Sequence, residues 1–383
     1  MSAGAEARAL HLNTAAFSCT LDRTTLVKAL THAQGVVERR NTVPILANVL
    51  LAATATGLNL TATDMDIDCV EQLETTSPAE GAVTLPVHML YDIVRKLPDG
   101  ASVSITAEGG RATLTAGRSH FSLHCLPVED FPIISQEHYP HTFTLAASDL
   151  RRLFDRTRFA MSTEETRYFL NGLYLHAVDG TTLMVVATDG HRLAKAGMPL
   201  PAGAADIPGV IVPRKTVSEL RKLLDEADEQ ITIGLSPTKI CFRLGTLQLT
   251  SKLIDGTYPD YNKVIPTRND KTLIASTTAL AAAVDRVATV ATEKTRAVKL
   301  HVRRDGITIA ASSQDASQGT DEVEATYTGE PLDIGFNARY LMDVFGQISS
   351  PECQFAIADA ASPTIITNTD DPSALYVLMP MRI

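Results

Sequence analysis

Cysteine is scarce in this sequence, and its five copies are scattered: Cys19, Cys69, Cys125, Cys241 and Cys353 form no C-x-x-C pair and have no histidine at metal-finger spacing. A disulfide framework and a zinc module are thereby set aside, and the thiols read as small core residues in a reducing compartment. Long apolar runs are also missing. Residues 1–16 (MSAGAEARALHLNTAA) carry Glu6 and Arg8 and no continuous apolar stretch. They fit neither a signal peptide nor a membrane span and read as an extension ahead of the first structural unit, with the cytoplasm as the expected location. The phosphate-cradling GxxxxGK[ST], a GxGxxG after a strand, the GxSxG nucleophile elbow and the HExxH zinc helix are all absent, which removes the commonest nucleotide-binding and hydrolytic readings. Positive charge is in deficit as well, the formal net charge being -10. Such a balance ordinarily counts against nucleic acid, whose binding is driven by Lys and Arg releasing counterions, although net charge says nothing about distribution.

What is present is a repeat. Residues 183–193 (LMVVATDGHRL) read as a buried strand running into a turn, and the same layout occurs at 58–67 (LNLTATDMDI) and more faintly at 307–314 (ITIAASSQ). The recurrences lie about 125 residues apart, the size of a whole domain and far longer than a solenoid unit. With 383 residues, 45% of them hydrophobic, the chain has material for two or three ordinary cores. Each copy opens with a strand and an amphipathic helix. Leu26, Ala29, Leu30, Ala33, Val36 and Val37 mark the first, and Leu150, Leu153 and Phe154 behind the candidate caps Ser148 and Asp149 mark the second. Leu280, Val284, Val287 and Ala291 mark the third.

A second helix follows in each copy, on Leu90, Ile93, Val94 and Leu97, on Val217, Leu220, Leu223 and Leu224, and on Leu341, Val344, Phe345 and Ile348. Pro86 and Pro213 are expected at helix starts, where a missing amide hydrogen is harmless. The remaining segments alternate like strands around turn dipeptides such as Asp179-Gly180 and Asp305-Gly306. Phe131-Pro132 and Tyr258-Pro259 close copies one and two, and residues 377–383 (VLMPMRI) read as a strand end. The implied fold class is α+β, three tandem domains of two helices on antiparallel sheets over residues 17–140, 141–267 and 268–383. Sheet edges in such units invite pairing with another chain, which points to an arc closed through a homodimer.

Basic residues concentrate on the helices, away from the apolar stripes. Arg151, Arg152, Arg156 and Arg158 fan across one helix of copy two and Arg214, Lys215, Arg221 and Lys222 across the other; Arg23, Lys28, Arg95, Lys96, Arg286 and Arg339 extend the pattern. Six helices with one bias in an acidic chain favour a shared positive surface suited to sequence-blind duplex binding. Catalytic candidates are thin. Asp64, Asp66 and Asp68 alternate along an extended segment and read as a polar strand face rather than a metal site. His120 and His124 share a strand face without a third ligand. Asp189 and His191 sit two apart in a turn with no nucleophile, so a hydrolase built on Asp64, Asp189 and His191 is the weaker alternative.

Six runs carry a resemblance: 40–48 (RNTVPILAN), 167–172 (RYFLNG), 187–193 (ATDGHRL), 212–215 (VPRK), 251–261 (SKLIDGTYPDY) and 376–383 (YVLMPMRI). In order, from Phe17 to Ile383, the chain closely resembles the beta subunit of bacterial DNA polymerase III, the family of replicative sliding clamps. The resemblance implies two chains joined head to tail in a ring around duplex DNA, a processivity factor with no catalysis, cofactor or metal. It also implies a hydrophobic groove between the second and third domains that takes a short peptide from each client. The clients are the DNA polymerase III catalytic subunit, the clamp loader, other DNA polymerases and repair proteins.

Carried over by position, the groove lining is Leu170, Thr188, Gly190, His191, Arg192, Leu193, Pro259, Val264, Val377, Leu378, Met379, Pro380, Met381 and Arg382. Leu, Val and Met suit leucine and phenylalanine anchors, and Gly190 permits close backbone approach. Duplex contacts carry over to Arg40, Arg95, Arg167, Tyr168 and Lys215, and the subunit interface to Phe121, Leu123 and Val290. The sequence departs from the family at His88, where a basic residue often follows the proline of the second helix, and at Lys263, where an arginine can occur. Within the family, a duplicated clamp specialised for repair or drug tolerance is the runner-up.

Overall fold

The computed structural model describes residues 17–54, 57–134, 137–226, 230–291, 296–313 and 317–382; the extension 1–16 and Ile383 lie outside them. Six α-helices are described: α1 (Arg23–Val36), α2 (Val87–Val94), α3 (Ala147–Thr157), α4 (Arg214–Glu226), α5 (Thr277–Ala288) and α6 (Ala338–Phe345). None of the described helices is long and apolar enough to cross a membrane. The chain divides into two compact units. One gathers the chain up to Thr144 with Ser218–Lys252, and the other joins Leu145–Val217 to the chain from Leu253 onward.

In the first unit, α1 starts where the Asp22 carboxylate accepts hydrogen bonds from the backbone N–H groups of Thr24 (2.8 Å) and Thr25 (3.2 Å), satisfying two orphan donors of the first turn. Leu26, Ala29, Leu30, Ala33 and Val36 are its buried stripe, at the 3.6-residue spacing that packs one helix face. With Val87, Leu90 and Val94 of α2, the first four of these form a core with the inward residues of two antiparallel sheets. The smaller sheet runs Thr76–Ala79, Phe17–Asp22, Ser102–Glu108, Arg111–Ala116, Ser119–His124. The larger runs His141–Ala146, Gln230–Leu235, Lys239–Leu244, Leu247–Lys252, Ile67–Leu73, Gly57–Thr63, Asn48–Thr54, Gly81–Pro86. The larger sheet passes from copy two into copy one where Leu247–Lys252 pairs with Ile67–Leu73, Ile67 opposite Ser251 and Asp68 opposite Thr250.

A buried histidine ties α1 into this unit. His32 Nδ1 lies 2.8 Å from a Glu71 oxygen and Nε2 lies 3.3 Å from Glu226, which also pairs with Lys28 at 3.2 Å. Both ring nitrogens face acceptors, so the doubly protonated ring satisfies both. Burial alone would push the imidazole pKa down; the hydrogen bond to Glu71 and the charges of Glu71 and Glu226 outweigh it, and the net shift is upward. A raised folded-state pKa contributes stability that is complete below the unfolded histidine's pKa of about 6.5 and drains away as pH rises through the folded value. His32→Gln is therefore expected to lower Tm most near pH 6 and progressively less towards pH 9. A Tm deficit that stays constant across that range, measured by thermal denaturation, contradicts the assignment.

The second unit holds a continuous run of twelve strands, starting Val210–Pro213, Gly172–Val178, Thr182–Thr188, Arg192–Pro199, Ala374–Leu378. Copy two meets copy three where Arg192–Pro199 pairs with Ala374–Leu378, Arg192 opposite Leu378 and Leu193 opposite Val377. α5 and α6 bury Leu280, Ala283, Val284 and Val287, and Leu341, Val344 and Phe345. Asn337 caps α6 by accepting from the Arg339 N–H at 3.0 Å.

Several sequence expectations are corrected. α3 begins at Ala147 with Ala146 as its uncapped N-cap residue, so Ser148 and Asp149 lie inside the first turn and do not cap it. Pro86 is the N-cap residue of α2, and Pro213 ends a strand before α4, so each proline stands one position ahead of the first helical residue. Asp64 and Asp66 lie in a turn, because Met65 takes a left-handed φ of 78° that breaks the extended run; Asp68 alone is on a strand. The last strand stops at Leu378, and Met379–Pro380 leave it.

Candidate binding groove

The ATDGHRL segment folds into a tight turn held by its own side chains. Thr188 Oγ1 donates to the Arg192 carbonyl at 2.7 Å and accepts from the Gly190 N–H at 3.1 Å. One Asp189 carboxylate oxygen accepts from the N–H groups of His191 (2.9 Å) and Arg192 (3.0 Å). Gly190 has φ 88°, and a Cβ there would meet Arg167 Nη1 at 2.5 Å, so the position requires glycine both for its backbone and for space. Beneath the turn, Leu170, Leu193 and Val377 are buried in one cluster with Tyr258, Tyr261, Val186 and Ile211. Tyr258 stacks on Tyr174, centroids 4.7 Å apart and planes within 3°. His176 stacks on Tyr174 in turn and hydrogen-bonds the Tyr261 hydroxyl at 3.0 Å. Burial, then the charge of Lys195, pushes its pKa down to about 4, so this ring is neutral at neutral pH.

The chain end is fastened over this cluster. Met379 N–H donates to the His191 carbonyl at 2.9 Å and Met381 N–H to the Gly335 carbonyl at 2.8 Å. Val264 and Met379 are among the few large apolar side chains left exposed, at 52% and 43%, and His191, Pro259 and Arg382 are exposed with them, while Pro380 and Met381 are half-buried. The structure thus brings most of the expected lining together: an apolar floor, a glycine turn and a tail of exposed and half-buried apolar residues.

Two positions behave otherwise. Successive strand residues point to opposite faces, so Leu378 and Arg192, paired across the rung, face away from Leu193 and Val377. Leu378 is buried outside the groove cluster. Arg192 turns its guanidinium inward, donating to Asp189 (3.1 Å), to Asp343 of α6 (2.5 Å) and to the Phe159 carbonyl (2.6 Å), with Tyr340 stacked 4.2 Å away. It braces the turn from behind. Arg192→Ala removes the side-chain bonds to Asp189, Asp343 and the Phe159 carbonyl and is expected to cost about 2 kcal/mol, read as a fall in the urea midpoint; a change under a tenth of that contradicts the bracing role. Tyr258, Tyr340 and Asp343 are site residues that sequence reasoning passed over, although Tyr258 stands inside the quoted run SKLIDGTYPDY.

The remaining candidates are dispersed. Arg40 and Tyr168 are exposed, and Lys215 is half-buried at the start of α4. Arg95 pairs with Asp92 at 2.8 Å. Arg167 grips Glu164 through Nε and Nη2 (2.8 and 2.9 Å) and donates from Nη1 to the Asp189 carbonyl, which places it against the groove turn. Arg156, expected on an open helix face, is instead half-buried and paired with Asp371 and Ser373 at 2.5 and 2.6 Å. Other helix cations form short-range pairs: Arg152 with Asp149, Arg158 with Asp155, Arg221 with Asp225, Lys222 with Glu219. The positive surface is correspondingly thinner than the sequence suggests. His88 reaches the Val37 carbonyl at 3.2 Å, and Lys263 is exposed beside Asp260.

Phe121 is half-buried on the outermost strand of the smaller sheet, whereas Leu123 points into the core at 4% exposure. Val290 packs near Gly319. For a hydrolase there is little: Asp64 spends its carboxylate on the N–H groups of Asp66 and Ile67, and Asp189 on its own turn and Arg192. Among the described residues no three His, Cys, Asp or Glu are grouped to hold a metal.

Three tandem modules of two helices on antiparallel sheets, with sheets that run on from one copy into the next, define the DNA-clamp class of protein. Comparison with known proteins agrees at every level. The family models for the DNA polymerase III beta subunit match in tandem, the N-terminal domain over residues 17–135, the central domain over 144–260 and the C-terminal domain over 262–382. A beta sliding clamp of Caulobacter vibrioides is 51% identical over 369 residues, covering 95% of this chain and 99% of that protein. The beta sliding clamp of Escherichia coli K12 is 37% identical over 367 residues with the same coverage. The crystal structure of a Bartonella birtlesii sliding clamp bound to griselimycin superposes with a TM-score of 0.94 at 47% identity, covering 96% of this chain and all of that one. The chain belongs to the DNA polymerase III beta-subunit family, and it is a DNA sliding clamp of bacterial replication.

Proposed function

We propose that two copies of this chain, with modules at 17–140, 141–267 and 268–383, close head to tail around duplex DNA. The ring tethers polymerases and repair proteins through the groove beneath the ATDGHRL turn and supplies no catalysis of its own. The observation that carries the groove is the apolar cluster of Leu170, Leu193 and Val377 that surfaces at Val264 and Met379 beside a pinned tail. Extended peptides with leucine and phenylalanine anchors fit such a surface, since the anchors bury in pockets while the backbone is read by neighbouring polar groups. The clients are those the family resemblance implies: the DNA polymerase III catalytic subunit, the clamp loader, other DNA polymerases and repair proteins.

Ring closure is supported by the strand Ser119–His124, which ends its sheet and offers a free edge to a partner strand. Beside it a cleft of about 540 Å³ is lined by Met89, Ile93, Leu97 and Phe121. Arg111 lies on the neighbouring strand, and Asp321, Glu322 and Glu324 lie on the strand Gln318–Tyr327 of copy three, so opposite charge is available to a pairing of copy one with copy three. Solution mass is the direct test: light scattering is expected to give twice the 41.2 kDa of one chain. Phe121→Asp is expected to weaken pairing by at least about 100-fold by placing an unpaired charge in an apolar contact. A monomeric parent chain, or an unaffected dimer in the variant, contradicts the interface.

A further inference from the structure

The groove turn has a near-copy at the join between copies one and two, and this inference rests on the groove reading above. Met65 and Gly190 both take left-handed φ, 78° and 88°. Met65 N–H donates to Thr63 Oγ1 at 2.9 Å as Gly190 N–H does to Thr188. Asp64 accepts from Asp66 and Ile67 as Asp189 accepts from His191 and Arg192. The outgoing chain is fastened in the same way, Lys252 N–H to the Asp66 carbonyl at 2.8 Å against Met379 N–H to the His191 carbonyl at 2.9 Å. Asp68 pairs with Thr250 across the rung where Leu193 pairs with Val377. Phe131, next in the chain to the cleft-lining Pro132, is buried together with Ile45 and Leu46. A cleft of about 140 Å³ opens here, bounded by Met65, Asp68, Thr250 and Lys252.

The frame is therefore supplied twice and only the walls differ. Where the groove has Gly190, Leu193, Val377 and Met379, the first join has Met65, Asp68, Thr250 and Lys252. An apolar anchor entering here would lie against the Asp68 carboxylate, which accepts from Thr63 Oγ1 at 2.6 Å, and against the buried Thr250, and further desolvating that charge costs more than burying one leucine returns. It would also have to displace the exposed Met65 side chain, which has no counterpart at Gly190. A methionine held at positive φ stores backbone strain that glycine would relieve, and an outlier of that kind motivates a search for what its side chain does.

We propose that Met65, Asp68, Thr250 and Lys252 confine peptide docking to the second join, so that each chain presents one groove although its fold frames two. The test is calorimetric titration of the full-length chain with a Gln-Leu-Ala-Leu-Phe peptide. The parent is expected to bind one peptide per chain. Met65→Gly/Asp68→Leu/Thr250→Val/Lys252→Met is expected to bind two, and still one when residues 379–383 are also deleted. A parent that binds none refutes the groove itself. A parent that binds one, with a folded quadruple variant that also binds one and loses it on tail deletion, overturns this proposal alone. If the quadruple variant fails to fold, Asp68→Leu/Thr250→Val, which changes little volume, is expected to show a second event at least about ten-fold weaker than the first. Its absence also overturns the proposal.

Discussion

Deletion of residues 379–383 is expected to abolish binding of a Gln-Leu-x-Leu-Phe peptide while the chain remains folded and paired. In the intact chain the affinity expected is micromolar, on the order of -8 kcal/mol. The deletion removes Met379, an exposed apolar side chain of the proposed groove, and the two backbone hydrogen bonds that fasten the tail to His191 and Gly335. It leaves Val377 and Leu378 in the strand and so keeps the rung opposite Leu193 and Arg192. A loss of more than about 100-fold, near 3 kcal/mol, is the expected size, read by fluorescence anisotropy with the dimer checked by light scattering. Retained micromolar affinity contradicts the groove. Lost affinity together with lost folding would trace the effect to the sheet, and Met379→Ala, which spares every backbone hydrogen bond, is then expected to weaken binding by roughly ten-fold on its own.

Much of the architecture was legible in the sequence because it is local. The stripe Leu26, Ala29, Leu30, Ala33 faces one way on any helix, and the structure buries all four. The pairing of Ile67–Leu73 with Leu247–Lys252 was not legible, because register between segments about 180 residues apart leaves no periodic trace in either. The Met65 turn hid for a similar reason: three alternating aspartates mimic a strand, and only the backbone shows the reversal. In the groove, family resemblance gathered contiguous residues without regard to face. Alternation along the strand was the available signal that would have separated Leu193 and Val377 from Arg192 and Leu378. Arg156 illustrates the limit of helix-face reasoning, since its partners Asp371 and Ser373 lie more than 200 residues away.

Retention on DNA distinguishes a topological link from an electrostatic one. A chain with net charge -10, whose helix cations are largely paired with neighbouring carboxylates, has few charges to spend on phosphate. Any purely ionic grip would fall steeply with salt, roughly one power of the salt concentration per phosphate contact. Encirclement needs no such grip, because dissociation is blocked by the closed path of the protein while sliding costs little. The measurement is co-elution of the loaded protein with nicked circular DNA at high salt, before and after the circle is cut once. The account predicts that the protein stays with the circle and leaves when the DNA is linearised. Loss from intact circles as salt rises, or equal retention on linear DNA, would contradict it.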